Sequence, residues 1–239
     1  MDELPRSPRA GRKRGRPALK TFVGIDLGQH LLHIVALDGS LDLTKVEVVD
    51  AADSDGLALL LSAAHVVAID APERLSTAPH SDEEGLSPKF RTARCAEIAL
   101  GREKRIWVPW VTPTSEQPCP GWMEVGFRVF EIARRCSSNV IEVFPYAGFR
   151  TLAGSRMPSK LTAAGLLTRS ELLVTAGVKI EDPEMWSHDS LDACLAALVA
   201  QQFDGGIADA IGCGHDGSAI WLPPLLGRQS SSRSSRYSM

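Results

Sequence analysis

Thr21-Phe22-Val23-Gly24-Ile25-Asp26-Leu27-Gly28 is an apolar run with a carboxylate near its end, and His65-Val66-Val67-Ala68-Ile69-Asp70-Ala71-Pro72 repeats the arrangement further along the chain. Both runs are β-branched, of strand length, and closed by glycine or proline, so both read as buried strands. An ionised carboxylate in such a strand needs a metal, a cation or hydrogen bonds to offset its desolvation. Glu142 stands in the same way inside Val140-Ile141-Glu142-Val143-Phe144-Pro145, and Asp189 and Asp192 stand at the head of an apolar helical segment. Acids at the ends of several elements predict one shared polar site. The pattern points to divalent-metal chemistry, and the ions expected are Mg²⁺ or Mn²⁺, which prefer carboxylate and water oxygens.

At 239 residues and 44% hydrophobic content, the chain has the size of one domain with a sizeable core. No apolar run has the length of a membrane span, and the first residues lack the apolar centre of a signal peptide. The expectation is a soluble, cytoplasmic protein with no membrane association. Its five cysteines, Cys95, Cys119, Cys136, Cys194 and Cys213, are odd in number and form no C-x-x-C pair. They read as reduced thiols that pack, against both a disulfide framework and a thiolate zinc site.

The net charge of −3 conceals an asymmetry. Residues 1–20 hold seven lysines and arginines against Asp2 and Glu3, a net +5, which leaves −8 on the rest. This arm, 1–20, reads as disordered and basic; its Arg12, Lys13, Arg14 and Arg16 resemble an AT-hook, with a plain solvated tail as the commoner alternative. The Ser-rich segment 228–239 reads as a second disordered tail, leaving 21–227 as the folded domain.

Within that domain, strands are expected at 21–27, 31–37, 43–49, 65–69 and 140–144, with a hairpin turn at Asp38-Gly39-Ser40 and a short helix at 56–64 capped by Ser54 or Asp55. Helices are expected near 92–101, 122–135, 160–177 and 189–202, and a short strand at 219–222. In the last helix, Leu191, Leu195, Leu198 and Gln202 share one face. The segment 72–88 is either a functional loop or disordered.

Taken in order, Gly24-Ile25-Asp26-Leu27-Gly28, Ala68-Ile69-Asp70-Ala71-Pro72, Arg94-Cys95-Ala96-Glu97, Trp122-Met123, Ile141-Glu142-Val143-Phe144-Pro145, Lys160, Arg169, Asp192-Ala193 and Ile220-Trp221-Leu222-Pro223 resemble domain-of-unknown-function family 429, a group of predicted nucleases within the ribonuclease-H-like superfamily. The resemblance implies an α/β fold: a mixed five-stranded sheet flanked by helices, with added helical segments, whose first three strands are antiparallel and whose fourth and fifth lie beside the first. It also implies a metal-dependent nuclease acting on DNA or RNA. Asp26, Asp70 and Asp192 occupy the places from which related enzymes hold two divalent ions, with Asp189 as a further ligand. Glu142 and Lys160 would join the catalytic set, and Arg94, Glu97 and Arg169 the substrate-binding one.

Each residue has a plainer reading. Asp26 can cap the turn at Leu27-Gly28-Gln29, and Asp70 can initiate an Asp-Ala-Pro turn. Asp189 and Asp192 have the spacing of an N-cap and its N3 partner, and both suit the helix dipole. Glu142 is a site residue or half of a buried ion pair with an arginine. Arg94 and Glu97, three apart, can pair with each other, and Lys160 and Arg169 can lie on solvated helix faces. Rival functions are a phosphotransferase or ATPase related to actin-like kinases, which generally duplicate the fold, and a non-catalytic nucleic-acid-binding protein. No internal repeat is visible.

Overall fold

The computed structural model describes residues 20–182 and 186–227. The tail 228–239 and the arm up to residue 19, with Arg12, Lys13, Arg14 and Arg16, lie outside the described residues. Strands β1 (Thr21–Leu27), β2 (Leu31–Asp38) and β3 (Leu43–Asp50) form an antiparallel meander, and β4 (Ala64–Asp70) returns parallel to β1 after α1 (Ser54–Leu61). β5 (Val140–Val143) lies parallel beside β4. For these five strands the order and directions are those that the resemblance implies. The sheet is larger than the five strands expected: β7 (Ile220–Leu222) pairs parallel with β5, and β6 (Asp209–Ile211) closes the edge, giving the order β3-β2-β1-β4-β5-β7-β6.

Between β4 and β5 run a long loop, α2 (Cys95–Lys104), a second loop, and α3 (Gly121–Cys136). After β5 come α4 (Pro145–Ala153), α5 (Ala163–Thr175) and α6 (His188–Asp204). The sequence reading missed α4 by taking Pro145 as a stop. Pro145 is instead the first helical residue, where its absent N–H costs nothing and its fixed φ suits the helix. Asp53, rather than Ser54 or Asp55, caps α1 by accepting a hydrogen bond from the Gly56 amide. The long loop is ordered in place, with the Ser76 amide donating to the Pro113 carbonyl across the second loop.

Strand alternation assigns side chains to two cores. Val23, Ile25, Val67 and Ile69 pack against Leu57 and Leu61 of α1 and Val129 and Phe130 of α3. Phe22, Val35, Val66, Ala68, Ile141 and Val143 point to the opposite face, against α6 and its neighbours α4 and α5. α6 is more enclosed than its leucine stripe suggests, since every residue from Leu191 to Ala200 is buried. Ala193, Ala196, Ala197 and Ala200 keep the helix thin. Gly24 does the rest: a Cβ there would overlap the Ala193 carbonyl oxygen and the Ala197 amide nitrogen, so only glycine lets α6 lie directly on β1.

Candidate functional site

Two residues beyond Gly24 on the same side of β1 is Asp26, and the parallel register pairs it with Asp70 at the end of β4. Phe22, Gly24 and Asp26 share one parity and Val66, Ala68 and Asp70 another, so both carboxylates face α6. Ser187 caps α6 by accepting from the Ser190 amide. Asp189 is therefore not the cap but a first-turn residue, and Asp192, one turn later, is carried over the strand ends by the close seating of α6.

Lys160 and Arg169 enter from the segment before α5 and from α5 itself. Lys160 Nζ donates to Asp192 Oδ2 at 3.0 Å and lies 4.0 Å from Asp189 Oδ1. Arg169 is buried, donates from a terminal guanidinium nitrogen to the Gly165 carbonyl, and stacks over Phe149. Its Nε stops 3.8 Å from Asp192 Oδ1, and both atoms are buried without a hydrogen-bond partner. The sequence reading also passed over His33, the antiparallel partner of Asp26, whose Nε2 lies 3.6 Å from Asp189. Its one signal was a polar residue in the apolar stretch Leu32-His33-Ile34.

The cluster holds four carboxylates and two cations, a deficit of two positive charges when all are ionised. Burial, then the charges of Asp192 and Asp189, push the Asp26 pKa from 3.8 to about 7. Burial and the charges of Asp26 and Asp192 hold Asp70 well above the usual carboxylate range. Asp192 is raised by burial, against the pull of Lys160 and Arg169. Burial works against the Lys160 ammonium, but Asp192, Asp26 and Asp189 together outweigh it and raise its pKa. Among the described residues no three of these acids bring an oxygen each within 4.8 Å of one another. The Asp26–Asp70 pair is the tight element, with Asp192 facing it across the Lys160 ammonium. An oxygen-rich donor set short of two positive charges, with a buried unpartnered oxygen on Asp192, fits a divalent ion such as Mg²⁺ or Mn²⁺.

Glu142 does not join this group. Its register partner is Ile69, and its neighbours Ile141 and Val143 occupy the α6 face, so Glu142 points to the other side of the sheet. There Arg94 donates to both its oxygens at 2.6 Å, and the Glu73 amide donates to Oε2 at 2.9 Å. Burial raises the Glu142 pKa against the influence of Arg94. Arg94 and Glu97 are both fully buried. Arg94 also bonds Thr112 Oγ1, while Glu97 accepts from the Arg94 and Thr112 amides and from the Thr112 hydroxyl. Arg94 and Glu97 thus face each other and Glu142 inside the protein, not a substrate. Of the two readings open for Glu142, the structure takes the buried ion pair.

Residues 124–213, from α3 to the loop after β6, match the model of a family described as a protein of unknown function, DUF429. That segment contains Glu142, Lys160, Arg169, Asp189 and Asp192, while Asp26 and Asp70 come from strands that precede the DUF429 match. No curated protein matches the chain. Among solved structures it is similar to T. thermophilus RuvC in complex with a Holliday junction substrate, at 14% identity and a TM-score of 0.39 over 85% of this chain and 99% of that one. Among the described residues no helix is long and apolar enough to cross a membrane.

Proposed function

We propose that this protein is a divalent-metal-dependent nuclease that hydrolyses phosphodiester bonds of DNA or RNA at the Asp26–Asp70–Asp192 cluster. The observation that carries the reading is the pairing of Asp26 with Asp70 at adjacent strand ends, both facing Asp192 and Lys160. Asp26, Asp70 and Asp192, with Asp189 beside them, would hold Mg²⁺ or Mn²⁺. Such an ion supplies a water of lowered pKa and charge to offset the leaving oxygen. Lys160, half-exposed beside the same cluster, would draw the phosphate's non-bridging oxygens toward the carboxylates, while buried Arg169 would hold Asp192 in place. Glu142 acts at one remove: through Arg94 and the Glu73 amide it fixes α2 and the long loop beside β4 and β5. The basic arm would add affinity for nucleic acid without sequence preference.

The test is cleavage of single-stranded, duplex and branched DNA and RNA with Mg²⁺, with Mn²⁺ and with chelator, for the wild type and for Asp26→Asn and Asp70→Asn. Metal-dependent cleavage lost in both folded variants supports the reading. Failure of the wild type to cut any of these substrates refutes it, and metal-dependent hydrolysis of ATP in its place assigns the phosphotransferase alternative.

A further inference from the structure

On the other side of the molecule the structure joins Cys95, the first residue of α2, to Cys213 in the loop after β6, 118 residues apart. This corrects the expectation that all five cysteines are free; Cys119, Cys136 and Cys194 are. His80 of the long loop is buried against the pair, with Nε2 3.6 Å from each sulfur. Among the described residues, His80, Cys95 and Cys213 are the one trio whose ligand atoms all lie within 4.8 Å of one another.

The imidazole is oriented as a ligand. His80 Nδ1 lies 2.9 Å from Glu83 Oε2, and Glu83 is itself ion-paired to Arg102. A carboxylate at Nδ1 takes that nitrogen's proton as a hydrogen bond and leaves the Nε2 lone pair aimed at the sulfurs. Carboxylate–histidine pairs of this kind back metal-bound imidazoles generally. Disulfide sulfurs have no hydrogen to donate, so in the oxidised protein this buried lone pair has no donor. We propose that the reduced form of this pair, with His80, is a binding site for Zn²⁺ or a similarly thiophilic divalent ion.

The electron and charge balance is simple. A dithiol reductant delivers two electrons and two protons to the Cys95–Cys213 bond and is itself converted to a disulfide. The two thiols then lose two protons to Zn²⁺, and two thiolates, a neutral imidazole and the ion sum to zero charge. Reduced sulfurs part to van der Waals contact, about 3.8 Å, which is the separation that tetrahedral geometry imposes on two sulfurs each about 2.3 Å from zinc. The cage does not depend on the disulfide. Asp216 accepts from the Cys95 amide at 3.0 Å and from the Ser218 hydroxyl at 2.7 Å, and Ser218 accepts from the Ala96 amide, which pins the Cys213 loop to the start of α2.

The fourth position has a candidate in exposed His215, two residues from Cys213. Its ring centroid is 6.1 Å from that of His80, against about 5 Å for two imidazoles on one tetrahedral ion. The site would staple the long loop, α2 and the β6–β7 loop, and Cys95 follows Arg94 directly. Its role is therefore structural, holding the buried Arg94–Glu142 pair in place.

The experiment titrates full-length protein, reduced with a phosphine that is then removed, with Co²⁺ and with Zn²⁺. Absorption reports the sulfur-to-cobalt charge-transfer band and mass spectrometry of the native protein reports stoichiometry. The expected result is one sulfur-bound ion per chain with a two-sulfur band, displaced by Zn²⁺, counted apart from any ion on the carboxylates by the loss of one ion in Cys213→Ser. The band should be absent in the oxidised protein and in Cys213→Ser, an exposed position whose change leaves the core intact, and unchanged in Asp26→Asn. Glu83→Gln should weaken binding about 10- to 100-fold. A reduced wild type without the band, or a band that survives in Cys213→Ser, overturns the proposal.

Discussion

Replacing Asp26 with asparagine removes one charge from a crowded site without changing its shape. Burial and the charges of Asp192 and Asp189 raise the Asp26 pKa from 3.8 to about 7, so the folded protein holds this proton more tightly than the unfolded chain does. The contribution to stability is accordingly complete below pH 3.8 and is lost as pH rises through 7. At 1.36 kcal/mol per pH unit, the interval from 3.8 to about 7 corresponds to roughly 4 kcal/mol of destabilisation in the metal-free protein at pH 8. Part of this belongs to Asp70, which shares the proton, so the asparagine variant should recover roughly 2–4 kcal/mol, a rise of about 5–10 °C in Tm for a chain of this size. The assay is thermal unfolding in chelator from pH 4.5 to 8.5. The difference between variant and wild type should open with increasing pH and close toward pH 4.5. Adding Mn²⁺ at pH 8 should raise the Tm of the wild type and leave the variant nearly unmoved, and cleavage should be found in the wild type alone, the less stable of the two without metal. Equal Tm values at pH 8, or a difference independent of pH, would refute the electrostatic account of the site.

Arg94→Met leaves Glu142 and Glu97 buried without their cation and should cost about 3–5 kcal/mol in urea unfolding, the part due to Glu142 being regained in Arg94→Met/Glu142→Leu. Gly24→Ala forces β1 and α6 apart; a loss of about 1–3 kcal/mol or more is expected, and wild-type stability would show that the contact is not tight. Lys160→Met should retain or tighten Mn²⁺ binding in calorimetry, because the ammonium no longer competes with the ion, yet lower kcat about 10²-fold. Deleting residues 1–20 should leave the melting curve of the body intact and flatten the salt dependence of DNA binding; identical slopes of affinity against salt would remove the arm from the interface.

The sequence by itself carried the first five strands, the hairpin between β2 and β3, and the two strand-end aspartates, because apolar runs of strand length and their closing glycine or proline are local signals, while the pairing of β1 with β2 and β4 came from the family resemblance. It carried the apolar character of α6 but not its enclosure, which follows from Gly24 and four alanines meeting across a sheet. β6 was illegible: three residues with two exposed hold no pattern of their own and become a strand only through β7. Glu142 looked like Asp26 and Asp70 as an acid in an apolar strand. Only the register of β5 against β4 turned it to the opposite face, because a shift of one residue exchanges the two sides of a sheet. Tertiary structure alone also brought together His80, Cys95 and Cys213, since their spacing has no local signature and their approach depends on two loops closing over the start of α2. What the chain encodes locally is which residues end each element. Which of those residues meet is decided by strand register and by how closely one helix can lie on one strand.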